Sequence, residues 1–127
     1  MRAKAPQARF IQADLLGEWP AELEQARFDR IVSTYLFHEF KLAVKVHLLQ
    51  CLARLLNPGG FIVIGDIALP DAPARAAAMA RWPDEWDEDE EFWAASEDLP
   101  VLAGVGLLGT FTQVSNCASV FVFIPGN

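Results

Sequence analysis

Two short apolar runs with a helix-length segment between them constrain this chain more than anything else in it. Residues 29–34 (DRIVST) place Ile31 and Val32 side by side, and residues 61–67 (FIVIGDI) are apolar almost throughout. Neighbouring side chains of a strand point to opposite faces, so consecutive apolar positions call for a sheet covered on both sides. Over residues 41–56, Val44, Leu48, Cys51, Leu52 and Leu55 recur at helical spacing, while Lys41, Lys45 and Arg54 take other positions. Asn57-Pro58-Gly59-Gly60 is expected to stop that helix, because proline cannot continue it and glycine supplies positive φ. Strand, helix, strand in this order is the unit of an α/β fold.

The flanking segments extend the pattern. Residues 9–13 (RFIQA) read as a further short strand ending at Asp14, and residues 15–25, with Gly17 and Pro20, suit a loop with a broken helical turn. Residues 72–81 are Ala-rich and helical in pattern, and residues 98–105 form a less regular helix. Residues 110–115 (TFTQVS) alternate, and residues 118–124 (ASVFVFI) give a last strand after a turn at Asn116 and Cys117. The sum is one α/β domain with a mostly parallel sheet and an antiparallel hairpin at its C-terminal end. A chain of 127 residues, 53% of them hydrophobic, has the material for one core.

The net charge of −7 is local. Residues 84–91 hold seven of the 17 acids and no base, which leaves ten acids against ten bases elsewhere. Such a body offers no electrostatic footprint for nucleic acid. Cys51 and Cys117 lie far apart without a CxxC, so neither a metal site nor a disulfide framework is expected, and a cytoplasmic location is the simplest. No run reaches the ~20 apolar residues of a membrane span, and the N-terminal residues lack an apolar secretory core.

Chemistry is concentrated where the strand of residues 29–34 ends. The stretch FDRIVSTYLFHEF turns from apolar residues to Ser33, Thr34, Tyr35 and His38 at the carboxyl end of a strand, where open α/β sheets place their ligands. His38 is the candidate general base; the alternative is a packed or capping imidazole. Glu39 is a weaker candidate, and His47 falls on the helix surface. Asp66, closing the run FIVIGD, either faces a cleft or caps a loop. The acids of residues 84–91, with Trp82, Trp86, Phe92 and Trp93 around them, either select a cationic substrate or form a solvated segment whose aromatics are pinned to the core.

The pieces ARFIQADLL (8–16), FDRIVSTYLFHEF (28–40), LARLLNPGGFIVIGD (52–66) and the closing hairpin together resemble the C-terminal two-thirds of a class I S-adenosylmethionine-dependent methyltransferase, of the small bacterial YrrT type. The resemblance implies an incomplete Rossmann-like fold taken from the strand order 3-2-1-4-5-7-6, with residues 9–13 as the third strand, 29–34 as the fourth and 61–67 as the fifth. It also implies S-adenosylmethionine as cofactor, with Asp14 at the adenine amino group, Leu15 lining the adenine pocket, and Ser33, Thr34 and Tyr35 near the methionine moiety. The acceptor is expected to be a small molecule. The family's acidic-GxG loop and second strand have no counterpart, since Gly59-Gly60 and Gly104-x-Gly106 stand elsewhere. Unaided cofactor binding is therefore expected to be weak, and the sheet edge at Ile31 and Val32 is expected to favour a homodimer or strand exchange. The competing expectations are a non-catalytic remnant acting through association, and one half of a split enzyme.

Overall fold

The computed structural model describes residues 7–126. In chain order the elements are α1 (Ala21–Glu24), β1 (Phe28–Thr34), a 3-10 turn (Phe37–Glu39), α2 (Leu42–Ala53), β2 (Leu56–Leu69), α3 (Ala72–Arg81), β3 (Trp93–Ala94), α4 (Ala95–Gly104), β4 (Leu107–Gln113) and β5 (Ala118–Pro125). The main sheet runs β1-β2-β5-β4, with the two residues of β3 added at the end of β2. β1 and β2 are parallel, with Ile31 beside Ile62 and Ser33 beside Ile64; β5 is antiparallel to both β2 and β4. This is the 4-5-7-6 half of the expected strand order, ending in the expected hairpin.

The Asn57–Gly60 segment does not stop the helix. α2 has already ended at Ala53, and β2 runs through the segment from Leu56. Phe28 pairs with Leu56, and the register then shifts before Arg30 pairs with Phe61. Both glycines serve that irregularity. Gly59 adopts φ +82, and a side chain on Gly60 would put its Cβ 2.9 Å from the Asp29 backbone oxygen.

Residues 8–14 form no strand. Asp14 closes a local turn instead, its Oδ1 accepting from the Leu16 N–H at 3.0 Å, while Arg9 meets Glu22 at 2.6 Å. A strand needs a ladder, and among the described residues the outer edge of β1 pairs with nothing. The expectation of a sheet covered on both faces also needs correction. Ile62, Ile64 and Ala68 of β2, with Phe121 and Phe123 of β5, pack against Leu48 and Leu49 of α2, Leu102 of α4, Phe37 and Trp93, and that is the core. The opposite face carries Val32, which is 65% exposed, and the half-buried Val63 and Val122. Val32 is uncovered because its strand is the edge strand.

Two helices show how caps set boundaries. α3 occupies residues 72–81 as expected, with Asp71 as its N-cap accepting from the Ala74 N–H at 2.8 Å. α4 begins three residues before its expected start, because the buried Asp98 carboxylate reaches back to the Ala94 N–H at 2.9 Å.

Candidate active site

Tyr35 ends β1 by donating its backbone N–H to the Gly65 oxygen at 2.7 Å, and it does so at φ 52. A left-handed conformation costs a non-glycine residue about 1 kcal/mol or more, and such residues gather at functional sites. The turn delivers the chain into the 3-10 segment, whose Phe37 is buried in the core and whose next residue is His38. Its position is thus fixed by packing on one side and by the strand on the other.

His38 Nδ1 lies 2.7 Å from Asp66 Oδ1. Asp66 shares the inward parity of Ile62, Ile64 and Ala68 on β2 and is buried. Its Oδ1 also accepts from the Ile67 N–H at 2.9 Å, and its Oδ2 accepts from the Trp93 indole N–H at 3.0 Å. With every partner a donor, the carboxylate requires Nδ1 of His38 to donate, which leaves the lone pair on Nε2. Nε2 is 3.8 Å from Glu90 Oε2, too long for a hydrogen bond. Both residues line a hollow of about 250 Å³ whose other walls include Trp82, Trp86 and Phe92. An oriented imidazole with a bare nitrogen at a hollow is the arrangement of a general base.

The Asp66 partnership was not singled out in the sequence, yet its signal was there: an acid at an in-facing position of an apolar strand has to find donors. Lys45, expected off the apolar face of its helix, lies in the core instead. It is fully buried, its Nζ donating to the Glu91 backbone oxygen and lying 4.6 Å from the centroid of Trp93. Glu91 in turn accepts from the Leu42 N–H at 2.8 Å and donates its own N–H to the His38 oxygen at 2.7 Å. The end of the acidic run is thereby tied to the start of α2 and to the turn that carries His38.

Burial pushes the Lys45 ammonium down from 10.5 to about 8, against Asp98, Glu91 and Asp66, which favour the charged form; Arg75 opposes it. Burial also raises the Asp98 carboxyl, against its hydrogen bond from Ala94 and the cations Lys45 and Arg75. The lysine sign is definite. Below pH ~8 both states hold the proton and the folded chain carries the full cost of burying it, about 3 kcal/mol. Between about 8 and 10.5 the unfolded chain holds a proton that the folded chain lacks, so this contribution improves as pH rises. Urea unfolding of the native chain and of Lys45→Met should show the difference between them moving in favour of the native chain by about 2 kcal/mol from pH ~7 to ~10. A constant difference would contradict the burial of a charged lysine.

The residues expected at the cofactor divide into two groups. Leu15 and Ser33 line one hollow of about 200 Å³, together with Ile31, Leu36, Leu48 and Leu52. Asp14, Thr34 and Tyr35 are exposed and do not line it. A larger hollow of about 410 Å³ lies beside α1 and α2, lined by Trp19, Arg27, His47, Cys51 and Arg54 among others, away from His38.

No family model matches the sequence, and no curated protein sequence matches it. Solved structures do match in shape. The complex of DhpI with SAM and HEP superposes with a TM-score of 0.74 at 14% identity, over 98% of this chain and 61% of that one. The chain has a methyltransferase-like fold. Mitomycin 7-O-methyltransferase MmcR superposes equally well, at 0.74 with 14% identity over 98% of this chain and 36% of its own. Human N-acetylserotonin methyltransferase in complex with SAM gives 0.70 with 13% identity, over 96% and 35%. The chain thus spans between about a third and three fifths of these proteins' lengths.

Proposed function

We propose that this chain carries the acceptor side of an S-adenosylmethionine-dependent methyltransferase, with His38 as the general base for a small nucleophilic acceptor. One observation carries the reading: the His38–Asp66 pair stands just beyond the carboxyl end of the β1–β2 pairing, which closes at Thr34 and Gly65, in a methyltransferase-like fold. Several similar structures hold SAM or SAH by their own descriptions, which supports S-adenosylmethionine as the cofactor.

The residues present suit one end of that cofactor. The hollow shared by Leu15 and Ser33 is apolar but for the serine and has no acid in its lining, so it fits an adenine face and supplies nothing for ribose hydroxyls. When bound, S-adenosylmethionine supplies an electrophilic methyl group that is already activated. The chain's part is then to place the acceptor and take its proton. Asp66 holds the imidazole in one tautomer, and Nε2 receives the proton from the acceptor, forming an imidazolium with carboxylate oxygens 2.7 and 3.8 Å from its two nitrogens. Asp14, exposed next to Leu15, is assigned to the adenine amino group, and Thr34 and Tyr35, exposed next to Ser33, to the methionine moiety.

Calorimetric titration with S-adenosylhomocysteine tests the reading. Saturable binding with a dissociation constant of about 1 mM or tighter is expected, worth about −4 kcal/mol or more. Absence of any binding heat through about 10 mM would instead favour a non-catalytic remnant or association module.

A further inference from the structure

The hollow beside His38 has a composition that the base alone does not require. Trp82, Trp86 and Phe92 give it aromatic walls, Phe92 buried against the imidazole with ring centroids 6.2 Å apart and an interplanar angle of 65°. Glu85 and Glu90 stand at the same hollow. Among the described residues no lysine or arginine lies within ion-pairing distance of either carboxylate; the Glu90 carboxylate has one oxygen 3.8 Å from His38 Nε2 and accepts from the Asp87 N–H at 3.1 Å through the other. Arg81 stacks on Trp82 at 5.2 Å from its centroid and lines a neighbouring hollow that shares this tryptophan. The two glutamates also belong to the run of seven acids at residues 84–91, whose field extends over the site. π-faces and carboxylates without a lysine or arginine partner together select a cation.

Resting on the reading of His38 as the base, we propose that the methyl acceptor is a small ring compound carrying both a hydroxyl and a protonated nitrogen. The ring lies among the aromatic walls, the hydroxyl faces Nε2 of His38, and the ammonium faces Glu85, with Glu90, 3.8 Å from Nε2, adding to the negative field. At about 250 Å³ the hollow sits at the small end of ligand sites, which suits a single ring with a short side chain. The proton leaving the hydroxyl goes to Nε2, and the oxygen takes the methyl group from the sulfonium, which departs as the neutral thioether.

Binding measured on the native chain tests this without any turnover. Tyramine, the neutral 4-ethylphenol and the anionic 3-(4-hydroxyphenyl)propionate are titrated while the indole N–H resonances of Trp82 and Trp86 are followed. Tyramine should bind about tenfold or more tighter than 4-ethylphenol, with the anion weakest, and the preference should shrink as salt rises. The double variant Glu85→Gln/Glu90→Gln should erase the preference, bringing tyramine to the affinity of 4-ethylphenol. Asp84→Asn/Asp89→Asn, with the same change in net charge, should retain it. Equal binding of tyramine and 4-ethylphenol overturns the proposal, and so does displacement of tyramine by S-adenosylhomocysteine, which would give the hollow to the cofactor. A failure of the methyltransferase reading registers separately, as missing calorimetric binding of S-adenosylhomocysteine, and leaves the charge preference measurable.

Discussion

Trp93→Ala should lower stability by about 4 kcal/mol or more, enough to leave a domain of ordinary stability largely unfolded. Trp93 is fully buried at the end of β2, with ring centroids 4.6 Å from Phe121 and 6.1 Å from both Phe37 and Phe123. Deleting so large a ring costs about 3–5 kcal/mol through lost transfer energy and the cavity left behind. Two further losses accompany it. Asp66 Oδ2 loses its indole donor, and the Lys45 ammonium loses the ring it lies over. A buried acceptor left unpaired costs about 1–3 kcal/mol more. Trp93→Phe keeps most of the packing and removes only the N–H, so it should lose markedly less. Urea unfolding followed by far-UV circular dichroism separates the two; an alanine variant within about 1 kcal/mol of the native chain would mean that this core does not depend on Trp93.

On the proposal that His38 is the base of a methyl transfer, Asp66→Asn should reduce that transfer by about 10²–10⁴-fold, as should His38→Gln, which removes the base itself. The asparagine effect follows from the donors around position 66. Ile67 N–H and the indole N–H of Trp93 need acceptors, and His38 Nδ1 needs one in the tautomer that leaves Nε2 bare. An amide offers one oxygen and one NH₂ where the carboxylate offers two oxygens. If the oxygen faces Trp93, the NH₂ meets Ile67 and His38; if it faces Ile67 and His38, the NH₂ meets the indole N–H. Either orientation sets donor against donor, and the first also drives the imidazole to the tautomer with its proton on Nε2. Rates with labelled S-adenosylmethionine and a hydroxylated ring amine check both variants. Undiminished transfer in either would remove His38 from the mechanism.

Much of this was legible because the main strands carry their own burial pattern. DRIVST, FIVIGDI and ASVFVFI could be placed from their runs of apolar residues, and α3 was readable from its alanines. Residues 9–13 look the same locally as a strand, but a strand exists only if a neighbour accepts its ladder, and a sequence window does not show neighbours. Asn57–Gly60 misled for a related reason: Pro and Gly signal a turn locally, whereas the parallel partner β1 keeps the backbone extended through a bulge. His38 was visible as a type of residue at a strand end. Its function depends on Asp66, 28 positions away, and on Trp93, a further 27 positions on, and only the fold brings them together. Lys45 was missed because a long aliphatic stem can lie in a core when a carbonyl waits at its tip, and that carbonyl belongs to Glu91.

The tautomer of His38 is the measurement on which the account turns. A long-range ¹H–¹⁵N spectrum of the native chain should show the neutral ring with its proton on Nδ1 and its lone pair on Nε2, as the Asp66 carboxylate requires of that form. A ring protonated on Nε2, with Nδ1 bare, would contradict it, since no lone pair would then face the hollow where the acceptor is to lose its proton.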